Sequence, residues 1–223
     1  FSTLTVMRTP ELPWDHVHDA ARAGQASGSA WWRMSAAQVR IYAVLLVLFL
    51  AMSLGYLLAP SYLEQVRGLP VGLIGSLGAA TATGGVVWAF VLGRRHSRQA
   101  LAVGAGVMAV AFGVLLAAPG GVWQLPAMIG AYFLMGIYLT ARTLSLGVVS
   151  EHTPPHQRGT AFGLVETAFG VGAFVGPWAA GHLYAVRPWL PFALALAVLV
   201  SMIGVIRVAL RPAEQPGSFE TGQ

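Results

Sequence analysis

The sequence predicts an all-α membrane protein built from six transmembrane helices, and three observations carry that prediction. Charged residues make up only 9% of the 223-residue chain and hydrophobic ones 56%, against roughly 25% charged in a soluble domain. The apolar residues form long uncharged runs, with arginines clustered in short segments between them. Mean hydropathy is +0.67, a value that would expose aggregating surface in water but suits lipid.

A spanning helix needs about 20 apolar residues. Ile41 to Leu63 carries no charge and gives the first span; Gly68 to Gly93 gives the second. The uncharged stretch from Gln99 to Ala141 is long enough for two spans, and Pro119-Gly120-Gly121 divides it. The third span therefore ends near Ala118, and the fourth runs from Val122 past Arg142 to about Val149. A polar loop, Glu151 to Gln157, leads to a fifth span over Arg158 to Leu183 and a sixth over Pro188 to Ile206. The transmembrane domain thus covers residues 40–210, with a cytoplasmic leader at 1–39 and a cytoplasmic tail at 211–223.

The 13 basic residues are all arginine. Arg8, Arg22, Arg33, Arg40, Arg94, Arg95, Arg98, Arg158, Arg207 and Arg211 flank the spans on one side, Arg67 and Arg187 on the other, and Arg142 lies inside a span. The positive-inside rule then places both termini in the cytoplasm. Trp31-Trp32-Arg33 reads as an interfacial anchor before the first span, and Trp123 and Trp189 fit the opposite interface. A formal charge of +5 also suits nucleic acid, but these arginines form no patch with interleaved aromatics, so no nucleic-acid partner is expected. Absence of cysteine excludes disulfides, a thiol nucleophile and thiolate metal ligation. The chain opens on Phe1 rather than Met and is expected to be a fragment of a longer one.

Two segments repeat. Arg67-Gly68-Leu69-Pro70-Val71-Gly72 opens the second span, Arg158-Gly159-Thr160-Ala161-Phe162-Gly163 opens the fifth, and the same offset sets Gly85 opposite Gly176. The second span enters from outside and the fifth from inside, so the expected architecture is two inverted three-helix repeats. Chance likeness between two glycine-rich helices is the competing explanation. The fifth span also carries Gly163, Gly172, Gly176, Pro177 and Gly181. Small residues four apart let a neighbouring backbone approach closely, and proline permits a kink. Such a helix suits bundles that rock against each other, and suits static packing equally well.

Here the chain resembles the major facilitator superfamily. The stretch Glu151 to Tyr184 carries the resemblance: an acidic residue, two prolines and Arg-Gly, leading into a glycine-rich helix. The spacing of Gly163, Gly172, Gly176-Pro177 and Ala180-Gly181 is similar to the family's antiporter motif, departing from it at Ala180, where the motif has glycine. Gly93-Arg94-Arg95 matches the end of the family's cytoplasmic motif between its second and third helices; the motif's aspartate falls on Phe90 and its first glycine on Val86. That decay and the polar leader look like helices seven to twelve, although the antiporter motif belongs to the other half. The resemblance implies half of a twelve-helix secondary transporter working by alternating access, by efflux or proton coupling. It would sit in lipid as a multi-pass protein of the bacterial plasma membrane, without cofactor or catalytic residues. A small-molecule substrate would bind against the missing N-terminal half, in a cavity lined by the first, second, fourth and fifth helices.

Among single residues, Arg142 and Glu166 stand apart because ionisable groups inside spans are costly and face a bundle interior or a wet cavity. Arg142 precedes Glu151 by nine residues and Glu166 follows Arg158 by eight, so both lie about 12–14 Å from the cytoplasmic surface. On neighbouring helices they are expected to pair, as a static link or as a coupling site. Tyr138, Phe169, Trp88 and Phe162 are candidates to line an apolar cavity, and Thr83, with Thr81, Thr140, Thr143 and Ser145, to touch substrate. Packing and bonding to the helix's own backbone account for such residues as well. His182 is a candidate proton relay or a plain interfacial residue. Trp14-Asp15-His16-Val17-His18-Asp19 lacks an i, i+4 histidine pair and reads as a solvated turn, so no metal is expected. An intramembrane enzyme is the weaker rival: neither a Gly-x-Ser-Gly turn nor His-Glu-x-x-His is present. A non-transporting receptor or scaffold on the same fold stays open.

Overall fold

Apolar runs separated by arginine clusters fold as helices joined by short turns over residues 36–118 and 120–209, which the computed structural model describes. In chain order the helices are α1 (Ala36–Tyr56), α2 (Ala59–Gln65), α3 (Val71–Gly93), α4 (Ser97–Ala117), α5 (Gln124–Met135), α6 (Ile137–Glu151), α7 (Arg158–Val186) and α8 (Leu190–Ala209). Short 3₁₀ turns at Gly121–Trp123 and Pro155–Gln157 precede α5 and α7, and no strand occurs among the described residues. Six stretches are long and apolar enough to cross a membrane: Gln38–Gln65, Val71–Gly93, Ser97–Ala117, Gly121–Glu151, Arg158–Val186 and Leu190–Val208. These are the six predicted spans. The leader, the Trp31-Trp32-Arg33 anchor, the Trp14–Asp19 turn and the tail lie outside the described residues, apart from the first turn of α1.

Two spans are interrupted where the sequence reading made them continuous. The first divides into α1 and α2 at Leu57-Leu58, ahead of a proline in the first turn of α2, where its missing N–H costs nothing. The fourth divides into α5 and α6 at Gly136. There the Gly136 N–H bonds the Phe133 carbonyl at 3.2 Å and the Leu139 N–H bonds the Gly136 carbonyl at 3.1 Å, a tightening of the helix by one 3₁₀ turn. Conversely, α7 runs unbroken through Pro177.

The packing pattern explains the topology. The first span packs on the fifth and the sixth, the fourth packs on the second and the third, and the third and sixth pack on each other. Exchanging the first three spans for the last three maps this pattern onto itself, as two inverted repeats require. The exchanged pairs even share their chemistry. Gly172 and Gly176 of α7 lie against Phe49, Leu50 and Ser53 of α1, while Gly84 and Gly85 of α3 lie against Phe133 and Gly136 of the fourth span. A Cβ on Gly172 would stand 2.9 Å from that of Phe49, and one on Gly176 would fall on the Ser53 hydroxyl. Each contact carries an interhelical hydrogen bond to a glycine carbonyl: Ser53 Oγ lies 2.6 Å from the Gly172 oxygen, and Thr140 Oγ1 donates to the Gly85 oxygen at 3.0 Å.

The core sits between α1, α4 and α8, around Leu45, Phe49, Met52, Met108, Phe112 and Phe192. Arg67 fastens the end of this core at the C-terminus of α4. Its guanidinium donates to the carbonyls of Leu115, Leu116 and Ala118 at 2.8–2.9 Å, placing a cation on the C-terminal carbonyls of α4. The outer faces of α3 and α7 remain apolar and exposed, with Val86, Phe90, Phe174 and Trp178 outermost.

Candidate functional site in the membrane

Helical spacing builds the site. Tyr138 and Arg142 are four residues apart on α6, and Glu166 and Phe169 three apart on α7, so each pair shares a helix face. Where α6 and α7 pack, the two faces meet. Arg142 Nε donates to Glu166 Oε1 at 2.7 Å. The Arg142 guanidinium also stands over the Phe169 ring, 5.7 Å from its centroid, within cation–π range. Phe169 in turn contacts Tyr138, with centroids 5.7 Å apart, and meets Phe49 of α1 edge-on at 5.2 Å. Tyr138 stacks on Tyr56 near the end of α1 at 4.4 Å. An aromatic wall thus runs from the break in the first span down to the ion pair.

Exposure decides what this arrangement can do. The Arg142 and Glu166 side chains are 52% and 38% exposed, so the pair is open on one side. Glu166 uses one oxygen on Arg142, which leaves the second oxygen and the guanidinium's other donors for a ligand or water. In an apolar surrounding neither charge is easily left alone, because breaking a desolvated pair strands the partner. A proton on Glu166 or an anionic group on Arg142 would supply the missing compensation.

Of the remaining sequence candidates, Trp88, Gly172 and Gly176 pack one helix against another. Trp88 donates its indole N–H to the Phe133 carbonyl at 3.3 Å and packs α3 on the fourth span rather than joining the aromatic wall. Thr83 is exposed and donates to the Ala79 carbonyl of its own helix at 2.9 Å. Gly172 and Gly176 form the contact with α1 described above, and Pro177 follows them within α7. Gly163 and Gly181 face open space, with nothing within 4 Å of an added Cβ. Thr81 and Ser145 bond their own helices, and His182 Nδ1 lies 2.9 Å from the Trp178 carbonyl, one turn back. Sequence reasoning missed Phe49, Ser53 and Tyr56. A lone serine or aromatic in an apolar helix carries no mark of its partner; the tyrosine's place four residues before Pro60, at a potential break, was the available signal.

The Major Facilitator Superfamily profile matches residues 43–222. Two relatives, both described as an uncharacterized MFS-type transporter, come from Mycobacterium tuberculosis, strains CDC 1551 / Oshkosh and ATCC 25618 / H37Rv. Each is 30% identical over 155 residues, covering 65% of this chain and 34% of the relative. The chain therefore matches about a third of the length of these relatives. A family profile spanning nearly all the described helices, six membrane-crossing stretches and a self-mapping packing pattern lead to one conclusion: this chain is a multi-pass membrane protein of the major facilitator superfamily.

Proposed function

We propose that the chain is one six-helix half of a gradient-driven small-molecule transporter working by alternating access, with Arg142 and Glu166 as its coupling site. The observation that carries this reading is the half-open ion pair inside two adjacent spans, bonded at 2.7 Å and backed by Phe169. Charges placed there are costly, and those found within spans commonly mark substrate or proton pathways. With the pair closed, the site is neutral. When Glu166 takes a proton, its attraction for Arg142 falls, and the guanidinium is free to receive an anionic substrate group. Release of the proton restores the pair and expels the substrate. The family and the relatives' descriptions support transport in general; proton coupling rests on the pair.

The second half of the bundle would cover the exposed faces of α3 and α7, and the polar leader would connect to it. On this reading the protein lies in a bacterial plasma membrane with both ends inside, binds no nucleic acid and performs no catalysis.

A gradient experiment tests it. A panel of small organic anions and neutral compounds is presented to cells expressing the protein or its Glu166→Gln variant, and the distribution of each is measured with and without a protonophore. The proposal expects at least one compound whose distribution depends on the protein, collapses with the protonophore and is lost in Glu166→Gln. A protein-dependent distribution that survives both treatments would remove Glu166 from coupling.

A further inference from the structure

The third and sixth spans, α4 and α8, stand apart from the helices expected to line a substrate cavity, yet a recess lies between them. Their large side chains turn inward: Phe112 and Phe192 are fully buried, with ring centroids 6.0 Å apart. A neighbouring face of α4 carries only small residues, because Ala109, Gly113 and Ala117 recur every four positions. Opposite them α8 supplies Leu196 and Val200. Small side chains on one wall leave a groove of about 450 Å³ with no polar side chain in its lining. Val110 and Val200 form its rims and are 56% and 54% exposed, so the groove opens sideways from the bundle. At this depth within two spans the surrounding medium is hydrocarbon.

One end of the groove carries charge. Gly113 faces Leu196 and Gly106 faces Ile203, so the two helices run antiparallel and the C-terminus of α4 lies beside the N-terminus of α8. Trp189 stands seven residues before Leu196, two turns along the same face, and its carbonyl accepts the Ala193 N–H at 3.1 Å, which continues the helical pattern. Arg187 precedes it by two residues. Both side chains are exposed, and among the described residues neither makes an ion pair or a side-chain hydrogen bond. Trp123, also exposed, follows α4 at this same end. Tryptophans gather where lipid headgroups begin. An unpaired cation at headgroup level, above an apolar groove, has the chemistry of an amphiphile site.

We infer that the groove between α4 and α8 binds an anionic phospholipid, with one acyl chain lying along Ala109, Gly113 and Ala117 and the phosphate received by Arg187, the Trp189 indole N–H serving as a second donor. A second copy of the chain fits this surface less well. Close helix docking needs small residues open to the incoming backbone, whereas Ala109 is buried, Gly113 already faces Leu196, and the valine rims hold another helix off. A zwitterionic lipid would fill the groove but leave Arg187 without a net counter-charge. The site shares no residue with the Arg142–Glu166 pair and stands whether or not that pair couples transport.

Two photoactivatable lipids test this, a phosphatidylglycerol and a phosphatidylcholine carrying the same diazirine-bearing acyl chain. The protein is placed in phosphatidylcholine nanodiscs doped with increasing amounts of either probe and irradiated, and the adducts are mapped by peptide mass spectrometry. The phosphatidylglycerol probe should label residues 109–117 and 196–200 saturably, and the phosphatidylcholine probe should not saturate there. Arg187→Gln, an exposed change that leaves the packing alone, should raise the half-saturating fraction of phosphatidylglycerol about fivefold, and Arg187→Lys should recover most of the difference. Ala117→Phe should remove the saturable component by filling the groove. Equal labelling by the two probes, or a half-saturating fraction unchanged in Arg187→Gln, would overturn the pairing of phosphate with Arg187. Adducts spread evenly over all six spans would mean solvation by bulk lipid and overturn the site. Absence of adducts from both segments, as when a second copy covers the groove, would do the same.

Discussion

Arg142 and Glu166 show what a sequence reveals at the scale of single residues. Both were legible because an ionisable residue inside an apolar run has few bland explanations, and because their distances from the loop placed them at one depth. In the sequence Tyr138 and Phe169 are only aromatics that could line a cavity; their helical spacing from Arg142 and Glu166 brings them to the pair. Trp88 and Thr83 did not reach the same niche: composition says that a residue lies on a span, but not which way the span is turned. A double-mutant cycle measures the pair. Arg142→Ala and Glu166→Ala should each destabilise the protein in detergent more than expected from the double variant, with a coupling of about 1 kcal/mol, held down by the pair's exposure. The charge swap should recover part of that loss. Thermal unfolding of the four variants reads the outcome, and simple additivity would mean that the side chains do not interact in the folded protein.

Among elements, the fifth span separates glycines that pack from glycines that do not. Gly172 and Gly176 admit α1 to backbone contact, whereas Gly163 and Gly181 touch nothing across the helix. All four fit the family's motif spacing, but only Gly172 and Gly176 stand four apart from each other, the spacing that lets a neighbouring backbone approach; which face of α7 meets α1 completes the division. Gly172→Leu and Gly176→Leu should cost about 1–3 kcal/mol through overpacking and reduce function accordingly. Gly163→Leu and Gly181→Leu should stay within about 0.5 kcal/mol of the parent. Thermal stability of purified variants checks this, and equal losses at all four sites would contradict the packing of α7 on α1. The breaks in the first and fourth spans were not equally hidden. The first had a local signal in Pro60, whereas the fourth depends on a neighbour, since Gly136 tightens where α3 approaches, and hydropathy reports only that the run is apolar.

For the whole molecule, the six spans were readable because lipid imposes one rule on every backbone group, and uncharged length alone satisfies it. The inverted repeat was visible only faintly, as two glycine-rich openings. Its stronger signature is the exchange of partners between the first and fifth spans and the fourth and second, which no local pattern encodes. Everything proposed about mechanism rests on this topology: the matched depth of Arg142 and Glu166, and the leader that would join a second half. Because the chain contains no cysteine, single cysteines give a clean measurement. Gln65→Cys, Gly120→Cys and Arg187→Cys in intact cells should react with a membrane-impermeant maleimide, while His96→Cys and Pro154→Cys should react only after permeabilisation. Labelling of His96→Cys or Pro154→Cys in intact cells, with the other three protected, would invert the molecule and contradict the account.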